Sequence, residues 1–169
     1  NAGIVATRPE LMCVATRSAA ELAAAFARAT VVAVGPGLGQ DDWALGLFDA
    51  AIASGRPLVV DADALNLLAA APRTLEHWVL TPHPGEAGRL LGTGSADVQA
   101  DRLEAARALQ SRYGGVVVLK GAGSIVRDAA DVPAICDRGN PGMAAGGMGD
   151  VLTGVIAGVA AQCADLGRA

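Results

Sequence analysis

The chain has 169 residues, 52% of them apolar and 18% charged, enough to bury one sizeable core and too few for two ordinary domains. It carries 17 acidic against 13 basic residues, a net charge of −4; with no Lys/Arg cluster it lacks the footprint of a nucleic-acid or anionic-membrane binder, and a small molecule is the expected partner. Cys13, Cys136 and Cys163 are far apart and form no C-x-x-C pair, which argues against a disulfide framework or zinc knuckle and for a reducing cytoplasm.

The start, Asn1-Ala2-Gly3, has neither an initiator Met nor a signal-peptide pattern and runs into strand-like residues, so the chain reads as a piece of a longer one. Ser18-Ala-Ala-Glu21 has capping-box spacing and predicts a helix from there to about Ala29. A strand over Val31–Val34 closes on Gly35-Pro-Gly-Leu-Gly39. Asp41 or Asp42 then caps a second helix that ends near Gly55, before Arg56-Pro57. Strands over Leu58–Val60 and Trp78–Leu80 run into Asp61-Ala-Asp63 and Thr81-Pro-His-Pro-Gly-Glu86. A third helix is expected over roughly Asp97 to Arg112. The strand Val116–Leu119 meets Lys120-Gly-Ala-Gly-Ser124, and a fifth strand covers Ser124–Arg127. The last helix begins near Asp150; Gly154 and Gly158, one turn apart, predict close backbone approach and a helix packed inside. Its apolar tract, Val151–Ala161, is well short of the roughly 18–20 residues of a membrane span.

Short apolar runs alternating with Ala/Leu-rich segments predict an α/β fold with parallel strands covered by helices. No linker, low-complexity tract or repeat divides the chain, so residues 1–169 read as one domain. Four polar stretches each follow a strand directly, and in an open parallel sheet such positions share the carboxyl-terminal edge where ligands bind.

The strongest local signal is Gly139-Asn-Pro-Gly-Met-Ala-Ala-Gly-Gly-Met-Gly-Asp150, a glycine-dense loop opening into an apolar helix. Unobstructed amides and the positive helix end make a site for phosphate or for charge developing during its transfer. Asp150 is then either a plain N-terminal cap or a carboxylate that takes a proton from an attacking hydroxyl. It is not a Walker loop, since no Lys-Ser/Thr follows the last glycine.

Other residues carry paired readings. Lys120, directly after a strand, lines the ligand edge or is a solvated Lys on a hairpin. His83, between two prolines, contacts substrate or is a buried structural histidine; a zinc site at His83 and Glu86 has too few partners. Glu86 caps the following helix or lines the site. Gly35–Gly39 followed at a distance by Asp61 outlines a Rossmann dinucleotide site, but the spacing is Gly-x-Gly-x-Gly. Asp61 and Asp63 line the ligand edge or merely end the strand; Asn66 is equally open.

In this order, Thr81-Pro-His-Pro-Gly-Glu-Ala-Gly-Arg-Leu-Leu-Gly92, Val118-Leu-Lys-Gly-Ala-Gly-Ser124 and Gly139 to Gly154 resemble the carboxy-terminal domain of the YjeF-type proteins, the ADP/ATP-dependent (S)-NAD(P)H-hydrate dehydratases. Gly35–Gly39 and Val60-Asp-Ala-Asp-Ala-Leu-Asn66 match further stretches, so the resemblance runs from about residue 31 to 162. It implies a ribokinase-like three-layer α/β fold with a mostly parallel central sheet, here incomplete at both ends, in a parent that also carries an epimerase domain in many bacterial members.

The implied activity is nucleotide-dependent dehydration of hydrated NADH or NADPH, a metabolite-repair lyase reaction using ADP, or less readily ATP, with Mg²⁺ held mainly by phosphates rather than a protein cage. By the same resemblance Asp150, Gly147 and Gly149 form the catalytic group, with Gly146 beside them. Gly37, Gly39, His83 and Asp150 would bind substrate; Lys120, Gly121, Ala122, Gly123, Ser124 and Gly149 would bind nucleotide. Asp61, Asp63, Asn66, Glu86 and Asn140 would be supporting residues. The family also tends to assemble, which implies a homo-oligomer. The rivals are a ribokinase-like kinase of a small alcohol or vitamin precursor and a non-catalytic nucleotide-binding module.

Overall fold

Every strand in the first two-thirds of the chain is followed by a helix that returns the chain to the same end of the sheet, and this sets the architecture. A computed structural model describes residues 6–130, 132–163 and 166; the strand-like reading of the residues after Gly3 lies outside them. Strands β1 (Val32–Val34), β2 (Leu58–Val60), β3 (Trp78–Leu80) and β4 (Val116–Leu119) run parallel, and β5 (Ser124–Arg127) and β6 (Ala134–Cys136) add an antiparallel edge, in the order β1-β2-β3-β4-β5-β6. The sheet is α/β and mostly parallel, as expected, with the sixth strand an addition.

The helices are α1 (Ala23–Arg28), α2 (Asp42–Ala53), α3 (Ala62–Ala70), α4 (Pro84–Leu91), α5 (Ser95–Ala100), α6 (Arg102–Tyr113) and α7 (Met148–Ala160). Sequential strand order with right-handed crossovers places the connecting helices on one face of the sheet. The main core forms there: Leu58, Val60, Trp78, Leu80, Val117 and Leu119 pack against Phe48, Leu65, Leu68, Leu90 and Leu109. The opposite face, bearing Val59, Val79 and Val116, is covered by Ile156, Leu152 and Ala157 of α7. That second layer is thin. Val151 and Val155 remain 58% and 54% exposed, and a Cβ at Gly154 or Gly158 would meet nothing. The expected burial of this helix is therefore corrected: only Thr153, Ile156 and Ala160 are buried, with Leu152 and Ala157 partly so.

Three local expectations also change. The Ser18–Glu21 box does not form: Ser18 makes no cap, Glu21 accepts from the Arg17 amide instead, and a 3₁₀ turn over Ala19–Leu22 precedes α1. The helix expected from Asp97 is split, because Asp97 accepts from the Thr93 hydroxyl and the Gly94 amide to start α5. Asp101 then adopts a non-helical backbone to cap Glu104 and start α6. The last helix begins at Met148, two residues early, with Gly147 as its N-cap at φ 86°. Asp41 caps α2 as expected, and Gly55 follows it at φ 66°.

Candidate active site

The parallel strands end in step, so Gly35, Asp61 and Thr81 form one row above β1, β2 and β3. Strand β4 is offset: Leu80 pairs with Val117, so β4 continues two residues further and Lys120 overhangs the edge, its amide donating to the Pro82 carbonyl. From there the lysine reaches over the end of β3 to β2, a lateral distance of roughly 10 Å for two strand spacings. Its Nζ lies 2.6 Å from Asp61 Oδ1 and 3.8 Å from Glu86 Oε2. Lys120 is thus partly buried between two carboxylates rather than solvated.

Asp61 is 1% exposed. Burial alone would push its carboxyl up; the hydrogen bond and charge of Lys120 and the hydroxyls of Thr153 and Thr81 outweigh it, leaving Asp61 below the usual aspartate range. Gly35, at φ 128°, makes this row possible, since any Cβ there would occupy the Asp61 carbonyl. The Asp61 carboxylate is fully engaged and turned inward, so the Rossmann-like outline is not realised. The parallel strands also lack the order reversal of a dinucleotide crevice.

His83 is the N-cap of α4. Its Nδ1 accepts from the Gly85 amide at 2.9 Å, while Glu86 Oε2 accepts from the His83 amide at 2.7 Å, a complete capping box. An accepting Nδ1 places the neutral ring's proton on Nε2. The ring is half exposed, which corrects the buried-histidine alternative. Glu86 caps α4 as the box partner of His83, as the capping reading expected, and its Oε2 also approaches Lys120.

The glycine loop arrives from the other side. Asn140 accepts from the Gly142 amide and starts a 3₁₀ turn over Pro141–Met143, after which Ala144, Ala145, Gly146 and Gly147 are exposed up to α7. Gly149 lies against the buried pair: a Cβ on it would stand 3.4 Å from both Asp61 Oδ2 and Lys120 Nζ. Asp150 is the third residue of the helix, not its cap, which removes the plain capping reading. It is set about 60° round the helix from Thr153 and about 100° from Gly149. Its carboxylate is exposed and has no hydrogen-bond or ion-pair partner among the described residues.

Other expected residues lie further out. Gly37 and Gly39 are exposed, but the Gly39 amide already donates to Asp63 Oδ2, so Asp63 braces the first loop. Asn66 accepts from Arg89 and links α3 to α4. In the fourth loop, the Ser124 hydroxyl exchanges hydrogen bonds with Gly121, and Gly121 to Gly123 stand at the edge. No group of three His, Cys, Asp or Glu converges on a metal position among the described residues.

Three residues passed over in the sequence prove central: Thr81, Thr153 and Arg102. Thr153 follows Asp150 by three positions, a spacing that could have signalled a shared helix side. Nothing in the sequence distinguishes Arg102. Its guanidinium donates to the carbonyls of Leu119, Lys120 and Gly123, and so holds the fourth loop from beneath. Gly121, at φ 149°, lies directly on it. Replacing Arg102 by Ala should therefore loosen this loop and accelerate hydrogen exchange at the Gly121 amide by roughly tenfold, about 1.4 kcal/mol of local opening. Exchange followed by mass spectrometry checks this, and an unchanged rate would show that the loop keeps its shape without the guanidinium.

Parallel strands, an antiparallel edge beyond β4, and a glycine loop capping a helix over that edge define a ribokinase-like protein. A ribokinase-like superfamily protein from Enterococcus faecalis V583 matches with a TM-score of 0.85 and 32% identity, over 96% of this chain and 58% of that one. The family can be stated more narrowly, since the NAD(P)H-hydrate dehydratase family model matches residues 1–169, and the chain belongs to that family. A bifunctional NAD(P)H-hydrate repair enzyme, Nnr, from Coxiella burnetii is 51% identical over 162 residues, 96% of this chain and 33% of its own length. The ADP/ATP-dependent NAD(P)H-hydrate dehydratase from Bacillus subtilis, co-crystallized with ATP/Mg²⁺ and soaked with CoA, matches with a TM-score of 0.80 and 30% identity, over 98% and 62% of the two chains. The chain spans about one third of the length of the first relative and under two thirds of these structures.

Proposed function

We propose that residues 1–169 are one catalytic unit that dehydrates the S form of hydrated NADH or NADPH at the expense of ADP or ATP. The observation that carries this reading is the placement of Gly149, in the first turn beneath the glycine loop, against Lys120 of the strand-end loop. An anion site and a cation thereby share one edge with His83. Membership of the dehydratase family supplies the substrate class.

Hydroxide is a poor leaving group, so the ring hydroxyl must first take a phosphoryl group. Its oxygen attacks the terminal phosphorus, the bond to the leaving AMP or ADP breaks, and the hydroxyl proton passes to the Asp150 carboxylate. The enamine nitrogen then expels inorganic phosphate, and loss of a ring proton restores the dihydronicotinamide. The amides of Gly146, Gly147 and Gly149 stabilise the transferring group, helped by the end of a helix that has no side-chain cap. Lys120 to Ser124 receive the nucleotide phosphates or ribose, while His83 Nε2–H and the backbone at Gly37 offer contacts to the dinucleotide. Mg²⁺, carried on the phosphates, neutralises their charge when bound.

The acidic balance and the lack of a basic cluster favour these small-molecule partners over nucleic acid or membrane. No helix among the described residues is long and apolar enough to cross a membrane. The three exposed cysteines, unpaired in the structure, suit a reducing cytoplasm, and the exposed apolar side of α7 suits assembly with further copies.

The test supplies hydrated NADH with ADP or ATP and Mg²⁺ and follows the return of dihydronicotinamide absorbance together with phosphate release. Both should appear in equal amounts. Accumulation of a stable phosphorylated alcohol would make the protein a kinase, and nucleotide binding without turnover would make it a binding module.

A further inference from the structure

The glycine loop has no buried polar anchor of its own. From Gly139 to Met148 every residue is exposed, and α7 meets the sheet through the apolar Leu152, Ile156 and Ala157. Apolar contacts resist separation but leave sliding and rotation soft, because they have no preferred direction. Among the described residues, one side-chain hydrogen bond ties this helix to the rest of the fold. The Thr153 side chain, in a residue only 2% exposed, donates from Oγ1 to Asp61 Oδ2 at 2.9 Å, while the other oxygen of the same carboxylate takes Lys120 at 2.6 Å. A single buried carboxylate thus ties the helix under the anion loop to the lysine of the nucleotide loop, across 92 residues of sequence on one side and 59 on the other.

We infer that Thr153 is a positioning residue: through Asp61 it sets the height and rotation of the first turn of α7, and hence the distance of Gly149 and Asp150 from the phosphates held at Lys120. Thr153 stands one helical turn after Gly149 on the same side, and one side over from Asp150, so a rotation of α7 about its axis carries both with it. The catalytic consequence rests on the dehydratase reading above; the geometric one does not. The hydroxyl makes this contact facing away from solvent, so substrate does not touch it, and its loss should appear in the transferring step more than in nucleotide capture.

Two readouts test this on the same set of proteins. Thr153→Val removes the donor at nearly constant volume, Thr153→Ser keeps it, and Thr153→Ala leaves space for a water beside Asp61 should the valine variant fail to fold. Hydrogen exchange at the hydrogen-bonded amides of residues 151–154, the first protected ones of α7, should accelerate about tenfold in Thr153→Val or Thr153→Ala and return to the original rate in Thr153→Ser. In the dehydratase assay kcat should fall at least about tenfold with KM for the nucleotide within about twofold, again restored by serine. Unchanged exchange overturns the inference. So does an unchanged kcat in an active protein, or a serine variant as impaired as the valine one. If the unsubstituted chain proves inactive on hydrated NADH, the proposed function fails and the exchange measurement still decides the role of Thr153.

Discussion

Asp150→Asn is expected to lower kcat by about 10²–10⁴-fold, the contribution of a well-placed general base, with nucleotide affinity changed little. The structure makes this a clean experiment. The Asp150 side chain is exposed and holds no partner among the described residues, so replacing it orphans nothing. The stability cost should be limited to the favourable interaction of a carboxylate with a helix start, about 0.3–1 kcal/mol. A carboxylate beside an anion-binding loop repels phosphate, and asparagine removes that repulsion, so nucleotide binding should hold or tighten slightly. Single-turnover kinetics and calorimetry on the same preparation separate the two effects. Retention of more than about a third of kcat, far above the range for a lost base, would remove Asp150 from the chemistry.

Asp61→Ala should be the most destabilising single change in the site. It strands Lys120 at the sheet edge and leaves Thr153 without its acceptor, and breaking a buried pair from one side costs roughly 3–5 kcal/mol. The lower end is expected, because Lys120 keeps Glu86 at 3.8 Å and some solvent. The pH dependence carries a distinct signature. Asp61 has its folded-state pKa depressed, so its contribution to stability is present above the unfolded aspartate value of about 3.9 and is lost as pH falls through the lower folded value. Denaturant unfolding of the two proteins should therefore differ most near neutrality and converge in strong acid. Curves that stay parallel down to about pH 2 would show that the Asp61 charge contributes nothing.

The sequence made the sheet edge legible because each parallel strand is a short apolar run ended by a polar residue, as at Val60-Asp61 and Leu119-Lys120. That pattern placed all four loops correctly. Helices α3 and α4 were harder to see. Ala62 begins α3 at φ 48°, a conformation that favours glycine, behind an Asp61 N-cap whose side chain makes no capping bond, and Pro84 begins α4 behind a histidine rather than the usual Ser, Thr, Asp or Asn. The break at Asp101 was hidden because its cap sits inside a continuous Ala/Leu pattern. Within the site, motif residues stood out, but their partners did not. Asp61 reads in sequence as a site ligand or a strand end, whereas Lys120 and Thr153, distant in sequence, engage its two oxygens. Besides its near neighbour Gln99, Arg102 bonds to main-chain carbonyls, and no residue type at that receiving end could have announced it.

The two-residue overhang of β4 acts as a ruler. Lysine is long enough to cross one intervening strand, but one residue more or fewer between Val116 and Lys120 would point it to the opposite side of the sheet. Insertions in this segment are thereby forbidden for a reason unrelated to core packing. The chain can vary far more freely where β5 turns back into β6, so drift in length among related proteins should collect there and spare the stretch that spaces the cation from its buried counterion.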